Sequence, residues 1–181
     1  MPMIRSPWTN SLVFIALVVL AAASRFVEAA PNFAAVAAVA LFAGVFFSNR
    51  LLAIGVPVLA MLISDVSHGF YDGRQMAVVY ACLAMPVLFS SIIAPLGRPL
   101  MWRALGAAAV CSIAFFAFTN LAVWAFGTAY SHDLNGFALC YAKALPFLRF
   151  TLASDLAYSG VIFGAYLLMT RGADRRAPAV A

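Results

Sequence analysis

The stretch Ser64-Asp65-Val66-Ser67-His68-Gly69-Phe70-Tyr71-Asp72-Gly73-Arg74 lies between two apolar runs, residues 51–63 and 75–94. Asp65, Asp72 and His68 fall inside it, and Tyr80 and Cys82 follow within the second run. Polar groups crowded beside membrane-crossing sequence cost free energy, so they read first as serving a substrate. The flanking runs decide the fold. Each is apolar, of near-spanning length and closed by turn residues, and the same alternation continues in both directions.

Upstream, residues 33–48 form another run, introduced by Pro31-Asn32 and ended by Asn49-Arg50. Its alanines and Gly44 suit close helix approach. Residues 12–23 form the first run, with Arg5 before it and Arg25 and Glu28 after it. Val27-Glu28-Ala29 also resembles a small-residue cleavage site, so a removed signal peptide is the alternative there. Downstream, a turn at 95–103 leads to residues 104–126, which hold Thr119, Asn120 and Trp124. The connection 127–136 contains Tyr130, His132 and Asp133. Cys140, Tyr141, Lys143, Pro146 and Arg149 make 137–150 too polar for a lipid-facing span, so a short surface helix is expected. The last span, 151–170, carries Asp155, Tyr158 and Gly160 in its first half. Pro57 predicts a bend that frees a carbonyl.

The chain has 181 residues, of which 66% are apolar and 9% charged, with a mean hydropathy of +1.01. Soluble domains are about 25% charged. The expectation is therefore an all-α membrane protein, a six-helix transmembrane bundle forming one domain over residues 1–171, with a short basic tail at 172–181. Cys82, Cys111 and Cys140 lie in apolar runs without CxxC spacing, against a disulfide framework or structural zinc. The net charge of +5 is scattered beside the apolar runs. It reads as topology within a lipid bilayer and not as nucleic-acid binding.

With the N-terminus inside, Arg5, Arg50, Arg98, Arg103, Arg171, Arg175 and Arg176 face the cytoplasm. Arg25, Arg74, Lys143 and Arg149 fall outside, together with Glu28, Asp65, Asp72 and Asp133. That bias predicts both termini in the cytoplasm. It also gathers Asn32, Asp65, Cys82, Asn120, Asp155 and Tyr158 toward the outer leaflet, the pattern of a pocket open outside and closed below.

Each candidate has a plainer reading. Asp65 could cap the turn that follows it. Asp155 could pair with Arg149 or Lys143. Asn120 with Thr119 could only join helices. Tyr71, Tyr80, Tyr130, Tyr141 and Trp124 suit an interfacial aromatic belt. His68 could simply be solvated, and Cys82 could be apolar filler, although a thiolate is also a soft metal ligand. No HExxH, GxSxG or Walker sequence is present, so ATP coupling would need another protein. A non-transporting membrane protein, either an assembly factor or a small intramembrane enzyme using Asp65 and Asp155, is the remaining non-transport reading.

Pro31-Asn32-Phe33, Ala40-Leu41-Phe42-Ala43-Gly44, Ser64-Asp65 with Gly69-Phe70-Tyr71, Phe116 to Asn120, Cys140-Tyr141 to Pro146-Phe147, and Asp155-Leu156-Ala157-Tyr158-Ser159-Gly160 occur in this order. Together they resemble the small bacterial inner-membrane S components of energy-coupling-factor (ECF) vitamin transporters, over roughly residues 10–170. Within that group the chain is similar to the BtuM family of solitary cobalamin transporters. The resemblance implies vitamin uptake from the periplasm, with cobalamin as substrate and no intrinsic cofactor. A binding subunit for a different vitamin or a metal ion, with Cys82 inert, is the rival reading. It implies that Cys82 is the axial ligand of the corrinoid cobalt and assists decyanation of cyanocobalamin, the one catalytic role expected. Asp65, His68, Tyr71, Tyr80, Asn120, Asp155 and Tyr158 would contact the substrate. S components dock an energising module through an AxxxA-type surface on the first helix. Here only Ala16 with Ala21, Ala22 and Ala23 stands in its place, which is compatible with solitary operation.

Overall fold

The shortest helix occupies the centre. A computed structural model describes residues 7–27, 31–93 and 100–176, without the side chains of 92–93 and 171–176. Its helices are α1 (Pro7–Phe26), α2 (Val36–Phe46), α3 (Arg50–His68), α4 (Gly73–Ile93), α5 (Leu100–Phe126) and α6 (Leu134–Arg176). No strand occurs among the described residues. The expected cleavage motif at 28–29 and the turn at 95–99 lie outside the described residues, as do Arg5 and the end of the tail.

All helices but α2 are long and apolar enough to cross a membrane. The 11 residues of α2 rise only about 16 Å, well short of a hydrocarbon core of about 30 Å. The expected second span is thus corrected to a core helix. Val36 and every residue from Ala38 to Gly44 are buried, and α2 touches each of the other five helices. A helix apolar on all sides belongs in an interior, and here five neighbours supply it.

Contacts at the helix ends fix the directions. Arg25 meets Asp65, Gly44 meets Ser90, and Trp124 meets Phe137. Helices α1, α3 and α5 therefore run one way, and α2, α4 and α6 the other. One end of the bundle carries Arg25, Asn32, Asp65, Tyr71 and Gln75. The opposite end carries Arg50, whose Nη1 donates to the Gly44 carbonyl (3.1 Å), the Val87 carbonyl (3.1 Å) and Ser90 Oγ (2.7 Å).

Helix α6 differs most from expectation. Its 43 residues run without a break through the segment expected to lie flat on the surface. That segment instead packs against the second half of α5. Tyr141 donates its hydroxyl to the Ala117 carbonyl at 2.6 Å, and the Phe137 ring meets Trp124 at 5.4 Å. The lysine and arginine that made 137–150 look too polar for a span, Lys143 and Arg149, are exposed, while its aromatic groups face α5.

Asp133 starts α6. Its Oδ1 accepts the Gly136 N–H at 2.7 Å and the Ser131 hydroxyl at 2.9 Å, an N-cap on an exposed turn. The Gly136 N–H, then the Ser131 hydroxyl, hold the carboxyl below the usual carboxylate range. A depressed folded-state pKa means that the cap's contribution is present above the unfolded value of about 3.9 and is lost as pH falls through the lower folded one. Asp133→Ala is expected to raise hydrogen exchange at Gly136 and Phe137 severalfold at neutral pH. Wild type should show the same fraying only in strong acid. Equal exchange in the two proteins would show that Asp133 does not cap α6.

Candidate functional site

At the Asp65 end, three helices meet through one carboxylate. Asp65 sits in the last turn of α3 and is 2% exposed. Its Oδ1 accepts Arg25 Nη2 of α1 at 3.0 Å, and its Oδ2 accepts the Tyr80 hydroxyl of α4 at 2.9 Å. Arg25 Nε also donates to Ser64 Oγ at 2.5 Å. An acid at a helix C-terminus opposes the dipole, so the arginine is what makes this position tenable. Gly69, at φ +96, ends α3 by giving its N–H to the Asp65 carbonyl at 2.9 Å, a left-handed closure that favours glycine.

The loop then turns at Asp72, whose Oδ1 accepts the N–H groups of Arg74 (3.0 Å) and Gln75 (3.1 Å). That cap opens α4 and places Gln75 in its first turn. The Gln75 N–H, more than the Arg74 side chain, holds the Asp72 carboxyl below its usual range.

Beside this network lies a cavity of about 250 Å³ walled by α4, α5 and α6, with Asn32 and Tyr71 at its rim. Gln75, Thr119, Asn120 and Thr151 supply its other polar groups. Phe115, Phe116, Phe147, Val79, Val123, Ala144 and Leu148 supply the apolar wall. Burial, and after it the Asp65 carboxylate, push the Tyr71 hydroxyl above the usual phenol range, partly offset by Arg25. Tyr71 thus feels the ion-pair network while facing the cavity. Asn120 donates its amide to the Phe116 carbonyl at 2.8 Å, which leaves its side-chain oxygen as an acceptor.

Of the residues expected from sequence, the cavity brings together Tyr71 and Asn120, with Asn32. Tyr80 is turned to Asp65 instead. His68 Nδ1 lies 2.8 Å from the Ser64 carbonyl and its ring stacks on Phe26 at 5.2 Å. Tyr158 packs on Phe33 at 5.9 Å. Trp124 and Tyr141 bind backbone carbonyls, as belt residues do.

Cys82 does not line this cavity, which corrects its expected position. It opens on a separate apolar depression of about 390 Å³ with Ile54, Val78, Ala81, Ala84, Met85, Leu88 and Phe118. The reason is helix geometry. Cys82 follows the cavity residues Gln75 and Val79 by seven and three positions, about 10 and 5 Å further along α4, so it lies beyond the stretch of helix that walls the cavity. Among the described residues no cluster of three or more His, Cys, Asp or Glu could hold a metal.

Asp155 also departs from expectation. Neither Arg149, which lies over the Phe150 ring at 4.6 Å, nor Lys143 pairs with it. Its Oδ2 meets Ser112 Oγ of α5 at 2.6 Å. Ser112 stands about 14 residues, roughly 21 Å, before the end of α5 at Phe126, so Asp155 is deeper than the outer third.

Sequence reasoning missed Gln75 and Thr151 as lining residues. A signal for them exists: Gln75-Val79 in α4 and Phe147-Thr151 in α6 follow the i, i+4 spacing of one helix face.

Across residues 5–179 the chain matches the family described as "Family of unknown function (DUF6580)", and it belongs to that family. No curated protein and no solved structure matches it.

Proposed function

We propose that this member of DUF6580 is a membrane substrate-binding protein that takes a small, largely uncharged, planar solute of vitamin type into the cavity at its Asp65 end and passes it across the bilayer. The observation that carries this reading is the composition of that cavity. Amides, hydroxyls and a phenol converge with three phenylalanine rings, and no charged side chain is among its lining residues. Such a mixture, mostly apolar with a few placed polar groups, is what ligand pockets use to orient a solute. The cavity volume lies just below the ~300–1,000 Å³ range of pockets for drug-sized ligands, which favours a single small heterocycle. The Asp65 end faces the periplasm of a bacterial inner membrane in this reading, with both termini cytoplasmic. An energising partner is optional.

A corrinoid is the second reading, and Cys82 is what favours it. The thiol is 7% exposed and opens on a roomy apolar depression instead of closing against a neighbour. Cobalamin bound there would have its cobalt held by Cys82 Sγ and its macrocycle against α4 and α5.

One preparation separates the two. The protein is purified after growth with cyanocobalamin, its visible spectrum is recorded, and the bound small molecules are extracted and identified by mass. The first reading expects a colourless protein carrying a small heterocycle, retained in Cys82→Ala and lost in a Gln75→Leu, Asn120→Leu double variant that still folds. A thiolate-shifted corrinoid band present in wild type and absent in Cys82→Ala would establish the second. Recovery of no small molecule from any preparation would overturn both.

A further inference from the structure

We infer that Asp155 is a proton-binding site: it holds its carboxyl as the neutral acid, one helical turn beneath the cavity, and exchanges that proton with water in the cavity. Its part in driving transport rests on the reading above, while the proton site itself stands on its own geometry.

Ser112 has two oxygen neighbours and one hydrogen to give them. Its Oγ lies 2.6 Å from Asp155 Oδ2 and 3.0 Å from the Ala108 carbonyl oxygen. Neither oxygen can donate if the carboxyl is ionised, and a serine hydroxyl has one proton to give. With Asp155 as the acid, the chain closes: the carboxyl O–H donates to Ser112 Oγ, and Ser112 donates to Ala108. Every proton then has a use.

Among the described residues, nothing around Asp155 balances a charge. Asp155 is 3% exposed and lies at mid-depth in a span. Packed against α6 are α5 and α2. Facing Asp155 from α5 are Ser112 and Cys111, and α2 contributes no titratable residue. Arginine and lysine are absent from the contacts of Asp155, and the ion pairs among the described residues are Arg25–Asp65 and Arg74–Asp72. A bare carboxylate in such a place carries a large solvation penalty. One turn further along the same face, the buried Ser159 Oγ has no hydrogen-bond partner, a second polar atom that a proton-carrying water could serve.

A route to the cavity is short. Thr151, four residues before Asp155 on the same face, lines the cavity. Ser154 Oγ lies 3.5 Å from the carbonyl of Asn32 at its rim. When water reaches Asp155, the acid gives its proton to that water. Ser112 then turns its own hydrogen from the Ala108 carbonyl to the new carboxylate. A sodium ion is not favoured, since one carboxylate oxygen and two hydroxyls fall short of the six or so oxygens that hard cations gather.

Infrared spectroscopy of the full chain in lipid vesicles tests this without any solute, so its failure is distinguishable from failure of the transport reading. The expected result at pH 7 is a carbonyl stretch of a protonated carboxylic acid that disappears in Asp155→Asn. In Ser112→Ala the band should move to the frequency of an acid lacking that hydrogen bond. It should fade as pH rises, equally in sodium and in potassium chloride. Spectra of wild type and Asp155→Asn that do not differ in this region would overturn the proposal. So would a band that responds to sodium and not to pH.

Discussion

Asp65→Ala is expected to lower the unfolding free energy by about 3 kcal/mol, the low end of what breaking a buried ion pair costs. The low end applies because the Arg25 side chain keeps 23% of its exposure while Asp65 keeps 2%, so the abandoned guanidinium can still reach solvent or headgroups. The Tyr80 hydroxyl loses its partner as well, while Ser64 keeps Arg25 as its donor. Asp65→Asn keeps one oxygen to accept from Arg25, and its NH2 can donate to the Tyr80 oxygen, so it should lose less. The double variant Arg25→Met, Asp65→Leu removes both charges and should recover most of the loss, since a hydrophobic substitute for a buried pair is often neutral. Unfolding in mixed detergent micelles, followed by circular dichroism, measures all of these. An Asp65→Ala protein that unfolds with wild-type stability would show that α1, α3 and α4 are held without the pair.

Gly44→Val is expected to be comparably damaging, by about 1–3 kcal/mol or more. A Cβ at Gly44 would meet Ser90 Oγ, Ser90 Cβ at 2.7 Å and the Val87 carbonyl at 2.8 Å. The first two belong to a side chain, but the carbonyl is backbone and cannot rotate away. Arg50 binds the carbonyls of both Gly44 and Val87, so separating α2 from α4 also pulls its three acceptors apart. Ser90→Gly should relieve part of the clash and restore part of the stability in the double variant. Full tolerance of valine at 44, read in the same unfolding assay, would mean that α2 and α4 do not touch there.

Much of the architecture was legible because apolar runs and turn residues alternate along the chain. The concentration of polar groups near residues 64–74 was legible for the same reason. What hydropathy cannot register is whether an apolar face meets lipid or protein, since the two are equally greasy. That is why residues 33–48 read as a span when they form a buried core helix. Long-range pairing was equally hidden. Arg25 and Asp65 are 40 positions apart, and nothing local announces that one will neutralise the other. The position of Cys82 was a different kind of miss. Its seven-residue step from Gln75 keeps it near the same helix stripe but about 10 Å further along, past the part of α4 that walls the cavity. For α6, Lys143 and Arg149 concealed a helix that turns their side chains outward and its aromatic groups toward α5.

Because α2 rises only about 16 Å and every neighbour it needs except α1 follows it in the chain, its place cannot be completed as it leaves the ribosome. Lateral partitioning into lipid suits a segment of about 20 apolar residues, and this one is roughly half that. It must wait, loosely held, until α3 to α6 arrive and enclose it. Biogenesis of this protein therefore has a late step, closure around the second helix, and nascent chains halted before α4 should leave that helix open to protease.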